Sequence, residues 1–164
     1  MKKLMLSCIA ILFSASMVVA QEKTNDDKKQ MKAEKKQTAA KMDLKELPQE
    51  IQDFVAKHFG DVAVKSAERE VDMLNFGNGE MYEVTLDNGV KLDFNEAGAV
   101  TEIESKKNAK IPEAALPQSI VKYVKDNYTA SIVSWESDKN DQEVELSDGM
   151  DLDFDPNGKF LKED

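Results

Sequence analysis

The sequence predicts an α+β protein made of two tandem repeats, each a helix followed by a four-stranded antiparallel sheet, with both helices packed on one sheet face. Three observations predict this fold. A stretch of alternating apolar and polar residues with a central Gly occurs twice, at 82–94 and 142–154. Each copy is preceded by a segment with an apolar stripe at helical spacing, at 47–59 and 116–128. Each copy is followed by a second glycine turn and one more short strand.

The repeated stretch predicts a β-hairpin whose three-residue loop ends in Gly89 or Gly149. A two-residue turn would place Leu86 opposite Lys91 and mix apolar with polar side chains on one face. Glycine supplies the positive φ that a bulged type I turn requires. The three-residue loop pairs apolar residues with each other: Leu86 with Val90, Val84 with Leu92, Tyr82 with Phe94, Leu146 with Met150, and Val144 with Leu152.

The other face of both hairpins is predicted to be acidic. Three pairs of carboxylates face each other there: Glu83 with Asp93, Glu143 with Asp153, and Glu145 with Asp151. Like charges in opposite positions destabilise a sheet by about 0.2–1 kcal/mol per pair. The simpler interpretation is a solvated face whose charges prevent aggregation; the alternative is a surface that binds a basic protein or peptide, or a cation. These six carboxylates are therefore the candidate partner-binding residues.

The two predicted helices share one design. Pro48 and Pro117 suit the first helical position, where no amide donor is missed, and Gly60 can end the first helix. We expect each apolar stripe to cover its hairpin, since burying one large side chain stabilises the fold by about 1.5–3 kcal/mol. The stripes consist of Leu47, Ile51, Phe54, Val55 and Phe59, and of Leu116, Ile120, Tyr123, Val124 and Tyr128.

Two further strands are predicted in each repeat. Residues 62–72 and 131–137 predict the first strands, and residues 99–104 and 159–163 predict the last. The connection at 73–79 has no counterpart in the second repeat, and its Leu74 and Phe76 either protrude or tuck under the sheet.

The chain divides by composition into a signal peptide (1–20), a flexible Lys/Gln-rich tether (21–45), repeat 1 (46–106) and repeat 2 (107–164). Two lysines precede a short apolar run that ends in small residues, which is typical of a cleaved secretory signal. We therefore expect a periplasmic protein that contacts the membrane only during export. Cleavage after Ala20 would remove the single cysteine, so we expect no disulfide, thiol nucleophile or cysteine-based metal site.

Charge is distributed unevenly along the chain. Residues 21–41 contain seven lysines and four acidic residues, a net charge of +3. Residues 42–164 contain 13 basic and 28 acidic residues, a net charge of −15. With this negative charge, residues 42–164 would repel a phosphate backbone, which argues against nucleic acid as a partner. The basic segment could touch anionic lipid or fold back on the acidic body, and a solvated tail is the simpler interpretation.

One segment superficially fits a calcium-binding loop. Asp153, Asp155 and Asn157 occupy alternate positions and Gly158 the sixth. No helix follows, however, and the first copy lacks the third ligand. A strand, a turn and a strand explain the same residues, so we predict no metal site and keep this trio as a weak candidate.

No pattern in the sequence predicts catalysis or a cofactor. His58, the single histidine, lies near a predicted helix C-terminus, where the helix dipole favours a surface cation over a catalytic base. The paired carboxylates repeat in register on an open face instead of flanking a cleft, as glycoside hydrolysis would require. Trp135 aligns with Ser66 and is interpreted as a core residue, with a partner anchor as the alternative.

The turns and helix starts resemble those of a known family, the PepSY-like, beta-lactamase-inhibitor-like family, over residues 47–164. The positions that carry the resemblance are Leu47, Pro48, Leu116, Pro117, Gly89, Gly149, Leu92, Asp93, Phe94, Leu152, Asp153, Phe154, Gly98 and Gly158. The resemblance implies helices on an antiparallel sheet, one curved sheet built by both repeats, and binding or inhibition in the periplasm without catalytic residues. We therefore expect a non-catalytic module that binds a protein or peptide through the acidic face and modulates an envelope enzyme. The alternative is a divalent-cation (calcium) binding envelope protein.

Overall fold

The computed structural model describes residues 39–70, 82–106 and 109–164. The predicted signal peptide, the tether up to residue 38 and the 73–79 connection lie outside the described residues. Neither α-helix of the described part is long and apolar enough to cross a membrane.

The described residues form two α-helices and one antiparallel sheet, which confirms the predicted α+β class. The helices are α1 (Gln49–Phe59) and α2 (Gln118–Asn127). Pro48 and Pro117 each lie one residue before the helix, at the N-cap, and not at the first helical position as predicted. The strands are β1 (Ala39–Met42), β2 (Val64–Glu70), β3 (Tyr82–Leu86), β4 (Val90–Phe94), β5 (Val100–Ser105), β6 (Ile132–Ser137), β7 (Gln142–Leu146), β8 (Asp151–Phe154) and β9 (Phe160–Glu163).

The nine strands lie in chain order, and each pairs antiparallel with the next. The two halves of the sheet join where β5 pairs with β6, with Glu102 opposite Glu136 and Ile103 opposite Trp135. The sheet is therefore continuous from β1 to β9.

The predicted hairpin register is confirmed. Tyr82 faces Phe94 and Val84 faces Leu92 in the first hairpin, and Val144 faces Leu152 in the second. The three-residue loops close by hydrogen bonds of 3.0 Å and 2.9 Å, in which the Gly89 and Gly149 amides donate to the carbonyls of Leu86 and Leu146. The two glycines have φ of +92° and +88°. Alternation and glycine placement thus determined which face of each hairpin is apolar.

The registers of β2–β5 and β6–β9 agree strand by strand, including their irregularities. A bulge follows Val64 in β2 and Ile132 in β6, and another follows Asp93 in β4 and Asp153 in β8.

This correspondence corrects one prediction. Trp135 occupies the place of Ala67, because both face the central valine of the next strand, and not the place of Ser66. The reason is that α2 has ten residues against eleven in α1, which shifts the alignment by one residue after the helix.

One apolar core contains side chains from both helices and from strands β2–β8. Phe54 of α1 meets Phe94 edge to face, with ring centroids 5.7 Å apart, and Tyr123 of α2 meets Phe154 in the same way at 5.5 Å. Such aromatic contacts add about 0.5–1.5 kcal/mol to the burial itself. The completely buried hairpin residues are ones that the hairpin register assigned to the apolar face: Val84, Leu86, Val90, Leu92, Phe94, Val144, Leu152 and Phe154. Ile103 of β5 is also completely buried.

Strand β1 lies within the segment predicted as a flexible tether. It pairs with β2, placing Lys41 opposite Glu68 and Met42 opposite Ala67. A 3-10 turn follows at Leu44–Glu46, capped by the Asp43 side chain, which accepts a hydrogen bond from the Lys45 amide at 3.0 Å. The four residues of β1 show no apolar alternation, so the sequence does not predict a strand there. Their pairing follows from the backbone edge of β2, which is open until a strand pairs with it.

The turn before β9 brings the backbone of Gly158 against α2. This glycine has φ of +80°, and a Cβ atom there would lie 2.1 Å from Ser119 Oγ and 3.1 Å from Ser119 Cβ. Gly149 has a similar φ of +88° but no atom within 4 Å of such a Cβ. The two glycines therefore share the same backbone conformation and differ in their contact with the helix, so comparing them isolates the effect of that contact.

We expect Gly158→Ala to lower the free energy of unfolding more than Gly149→Ala does. Both variants should suffer the backbone cost of a left-handed alanine, roughly 1–2 kcal/mol. Gly158→Ala should lose about 1 kcal/mol more, because the Ser119 hydroxyl has to rotate away and Ser119 Cβ has to shift slightly. Urea denaturation of the two variants measures the difference. Equal losses would show that the helix does not approach this turn closely.

Candidate binding surface on the polar sheet face

The polar face of the sheet carries a line of charged residues that are register partners across all nine strands. We call this line the acidic row, and it consists of Lys41, Glu68, Glu83, Asp93, Glu102, Glu136, Glu143, Asp153 and Lys162. Residues directly opposite each other share a face, so the seven carboxylates lie side by side on β2–β8, with a lysine on each edge strand. With strands about 4.8 Å apart, the carboxylates extend over roughly 29 Å.

The row includes four of the six predicted residues, Glu83, Asp93, Glu143 and Asp153, and adds three that sequence reasoning missed. The other two predicted residues, Glu145 and Asp151, form the next register pair on the same face. Glu68, Glu102 and Glu136 lie on β2, β5 and β6, whose pairing is not set by the hairpin turns. Their signal in the sequence is a glutamate directly beside an apolar residue of a short strand. That signal assigns a face only once the register between the strands is known.

In the first half of the sheet two carboxylates of the row are buried, and a lysine lies beside them. Asp93 is 1% exposed and Glu102 is 5% exposed. Lys91, two residues from Asp93 on the same strand, contacts the Asp93 carboxylate and lies 3.4 Å from Glu83 Oε2. The prediction that all six candidate carboxylates look out to solvent is therefore wrong for Asp93. Its charge is held by an internal ion pair that reasoning about opposite strands did not include.

The charge of Lys91 is stabilised by this cluster. Burial alone would lower the pKa of Lys91, but the adjacent carboxylates of Asp93, Glu102 and Glu83 outweigh it and raise the pKa above its ordinary value. Lys91 is thus protonated throughout the neutral range, and it holds together the polar face of β3, β4 and β5.

In the second half the equivalent surface is more acidic and more exposed. The positions of Thr85 and Lys91 in the first hairpin are taken by Glu145 and Asp151 in the second. The second hairpin therefore presents four carboxylates and no lysine. Its exposed or half-exposed acidic residues, together with the neighbouring residue of β6, are Glu136, Glu143, Glu145, Asp151 and Asp153.

The edge of the second half carries Lys162 on β9. Its ammonium group lies 3.3 Å from Asp153 Oδ2 and also contacts the Asp164 carboxylate. Hydrogen bonds to Asp164 and then to Asp153 raise the pKa of Lys162. The Lys162 side chain is open to solvent, and exposed ion pairs of this kind contribute little to stability.

The weak metal candidate is explained by the turn that precedes β9. Asp155 Oδ1 accepts hydrogen bonds from the amides of Asn157 and Lys159, each at 2.9 Å. Asn95 makes the same two bonds in the first half, to Ala97 and Ala99 at 3.0 Å. Asp153 instead lies in the acidic row. Within the ranges that the structure describes, no three His, Cys, Asp or Glu side chains are grouped to hold a metal ion.

Trp135 is a core residue, as predicted. Its side chain is 6% exposed, and its indole Nε1 donates a hydrogen bond to Gln142 Oε1 at 3.0 Å. The amide group of Gln142 in turn donates to the carbonyls of Asp155 and Pro156 at 3.3 Å and 3.2 Å. This buried chain of hydrogen bonds fixes the 155–158 turn to β6, and Gln142 was not predicted to take part.

His58 is half-buried against the ring of Phe54, with centroids 4.7 Å apart. Burial and then the charge of Lys57 lower the pKa of His58, so the neutral imidazole is favoured. The sequence predicts a surface residue at this helix end, whereas the ring is half-buried.

A shallow groove lies between α2 and β9, and none of its lining residues belongs to the acidic row. Tyr123 and Phe160 stack at its base, with centroids 4.7 Å apart and ring planes inclined by 14°. The groove is lined by Ser119, Lys122, Tyr123, Asp126, Gly158, Lys159 and Phe160. The groove is therefore a second surface, separate from the acidic row.

Residues 80–162 match the model of a protein family described as "putative beta-lactamase-inhibitor-like, PepSY-like". None of the curated proteins matches the chain. A solved structure from Bacteroides thetaiotaomicron, described as a "putative calcium-regulated periplasmic protein", is 34% identical with a TM-score of 0.70. The alignment covers 77% of this chain and 96% of that one.

Two solved periplasmic proteins from Bacteroides vulgatus are also similar. One is 34% identical with a TM-score of 0.69, over 79% of this chain and 98% of that one. The other, of unknown function, is 33% identical with a TM-score of 0.68, over 77% and 99%. The matched family model and these similarities together show that the chain belongs to the PepSY-like family.

Proposed function

We propose that this protein is an exported, non-catalytic binding module of the periplasm that captures a basic protein or peptide segment. The binding surface consists of Glu136, Glu143, Glu145, Asp151 and Asp153, and we call it the acidic patch. The observation that carries the proposal is the contrast between the two halves of the sheet. The five equivalent positions of the first half include a lysine, and they are half-buried or, at Asp93, buried. In the second half all five are acidic, and Glu136 and Glu145 are exposed.

The fold supports this assignment because the polar face of its second half carries exposed carboxylates. We infer that the chain consists of two tandem copies of one helix-plus-four-strand unit. The matching bulges of β2–β5 and β6–β9 and the matching ring contacts of Phe54 and Tyr123 support this inference. The helices of both copies then cover the apolar face, and the acidic row lies on the face that they do not cover.

The charge of the surface defines the partner. Carboxylates on adjacent strands lie about 5 Å apart, so a segment with several lysines or arginines can contact more than one of them at once. The net charge of −15 over residues 42–164 also attracts such a segment from a distance and raises its association rate. Of the six residues predicted from the hairpins, Asp93 and Glu83 belong to the buried cluster around Lys91 and are left out of the acidic patch.

A non-catalytic role fits the shape of the surface. The carboxylates repeat at the spacing of the strands along an open sheet, whereas acid–base catalysis by paired carboxylates needs a cleft with one shielded acid. The description of three solved relatives as periplasmic supports the location. An inhibitor-like action on an envelope enzyme is the form of binding that the family description favours.

The test is calorimetric titration of the purified protein with decalysine. Reversing the acidic patch in Glu143→Lys/Glu145→Lys/Asp151→Lys/Asp153→Lys should weaken binding at least about tenfold, which corresponds to roughly 1.4 kcal/mol. The matched control, Glu50→Lys/Asp53→Lys/Asp61→Lys/Glu96→Lys, changes the net charge equally at exposed positions outside the acidic row. We expect a smaller loss for the control, because only the long-range attraction is reduced. Equal losses in both variants would refute a localised binding surface.

Calcium is a second candidate ligand, favoured by the description of one solved relative as calcium-regulated. Calcium would require several oxygen ligands within about 2.3–2.6 Å of one point. Calorimetry and thermal denaturation in millimolar calcium test it directly. Heat of binding together with a raised melting temperature would support this candidate, and the absence of both would end it.

A further inference from the structure

The two edge strands of the sheet occupy equivalent positions. Lys41 of β1 faces Glu68 of β2, just as Glu102 of β5 faces Glu136 of β6. One residue further along, Met42 faces Ala67, as Ile103 faces Trp135. Strand β1 therefore covers the edge of β2 in the same register in which β5 covers the edge of β6.

Strand β9 is the counterpart of β5 in the second half. Phe160 faces Phe154 as Val100 faces Phe94, and Lys162 faces Asp153 as Glu102 faces Asp93. Because β1 matches β5 and β5 matches β9, Lys162 holds the same register position as Lys41. Both edge strands thus place a lysine at the end of the acidic row.

The outer edge of β9 has no pairing strand among the residues that the structure describes. Asp164 and Asp151 exchange both backbone hydrogen bonds, at 2.9 Å and 3.3 Å. By the alternation of an antiparallel ladder, the backbone amide and carbonyl of Glu163 then point outward. Leu161, with 56% of its side chain exposed, is also on this strand. A strand edge of this kind is a template for another chain.

We propose that the outer edge of β9 binds a second copy of this chain at the edge of β2, and that β1 is the intramolecular strand that competes for that edge. In this contact Lys162 of one copy takes the place of Lys41 and faces Glu68 of the other copy. The acidic row then continues from Asp153 through Lys162 into the next sheet. Such a contact joins two different surfaces, so it propagates head to tail.

Strand β1 is suited to be displaced. It has four residues, its Lys41 side chain is exposed and its Met42 side chain is only half-buried. Its pairing with β2 is therefore held by backbone hydrogen bonds, by the half-buried Met42 against the core, and by the opposite charges of Lys41 and Glu68 in register. Reversing one of these charges replaces attraction by repulsion and should shift the competition toward β9 of a second copy.

The test uses charge changes in the exported chain that begins at Gln21, at physiological salt, where repulsion between the acidic bodies is screened beyond about 8 Å. Lys41→Glu weakens β1 while leaving the Lys162–Glu68 attraction intact, so we expect oligomers. Glu68→Lys weakens β1 but also repels Lys162, and Lys162→Glu leaves β1 in place, so each alone should remain monomeric. The double variant Glu68→Lys/Lys162→Glu weakens β1 and restores attraction between copies, so it should oligomerise. Sedimentation velocity over a range of concentrations measures the mass, and circular dichroism checks that each variant is folded.

The combined variant Lys41→Glu/Lys162→Glu separates this contact from unspecific association. It should return the protein to the monomer, because the lysine that attracts Glu68 of the other copy would be replaced by a carboxylate that repels it. Oligomers of Lys41→Glu that persist in the combined variant would overturn the proposal. So would a folded, monomeric state of both Lys41→Glu and Glu68→Lys/Lys162→Glu at every concentration.

Discussion

Replacement of Lys91 by methionine should lower the free energy of unfolding by about 3–5 kcal/mol, the cost of removing one partner from a buried ion pair. Asp93 is 1% exposed and Glu102 is 5% exposed, and the Lys91 ammonium group contacts the first and helps to neutralise the second. Methionine keeps most of the side-chain volume, so the loss reports the charge and not a cavity. Urea denaturation at neutral pH measures it.

Lys162→Met is the matched control for Lys91→Met. Lys162 also contacts carboxylates, but its side chain is open to solvent, and we expect little change in stability. A similar, large loss of stability in both variants would contradict the claim that Lys91 neutralises the buried carboxylates of Asp93 and Glu102. A negligible loss of stability in Lys91→Met would contradict it as well.

The pH dependence of the same variant has a definite sign. The pKa of Lys91 is raised in the folded protein, so its stabilising contribution is fully present below the unfolded value of about 10.4. The contribution is lost as pH rises through the higher folded pKa. The stability difference between the natural protein and Lys91→Met should therefore stay constant from neutral pH to about pH 10 and shrink only at more alkaline pH.

Phe94→Ala and Phe154→Ala should each lower the free energy of unfolding by about 3–5 kcal/mol. Both side chains are completely buried, and each meets an aromatic residue of its own helix edge to face. Since the two phenylalanines hold the same place in matching registers, we expect their losses to be similar. Chemical denaturation of both variants measures the two losses.

Leu161→Ala serves as the control for the two phenylalanine variants, because it truncates an exposed apolar residue on a neighbouring strand. Its effect should stay within about 0.5 kcal/mol. A large loss for only one of the two phenylalanines would contradict the structural equivalence of the two halves.

Local sequence patterns predicted the hairpins well. Strict alternation and a glycine at the end of each three-residue loop left one register that keeps Val84 and Leu92 on the same face. The helices were likewise predicted to within two residues at each end, because their apolar stripes have a clear period.

Features that depend on pairing between distant strands could not be predicted from local sequence patterns. The pairing of β5 with β6 places Glu102 beside Glu136, and no turn signal in the sequence specifies that register. A shift by one residue would have moved both side chains to the other face. The burial of Asp93 depends on its neighbours on three strands, and the pairing of β1 depends on the exposed edge of β2. The acidic row could therefore be recognised only from the assembled sheet.

The two hairpins show how one pattern can serve two purposes. In the first, the lysine at position 91 turns a line of carboxylates into a buried ion-pair cluster that holds the sheet together. In the second, Asp151 at the equivalent position leaves a surface of four carboxylates. We infer that the first half supplies rigidity and that the second half supplies the binding surface.

Binding of a basic segment at the acidic patch is tested most directly by nuclear magnetic resonance titration of the labelled protein with decalysine. We expect the backbone amide signals of Glu143, Glu145, Asp151 and Asp153 to shift most, with saturation at a single affinity that falls as salt is added. Shifts confined to α2 and the groove beside Tyr123 and Phe160, with the amides of β7 and β8 unchanged, would contradict it.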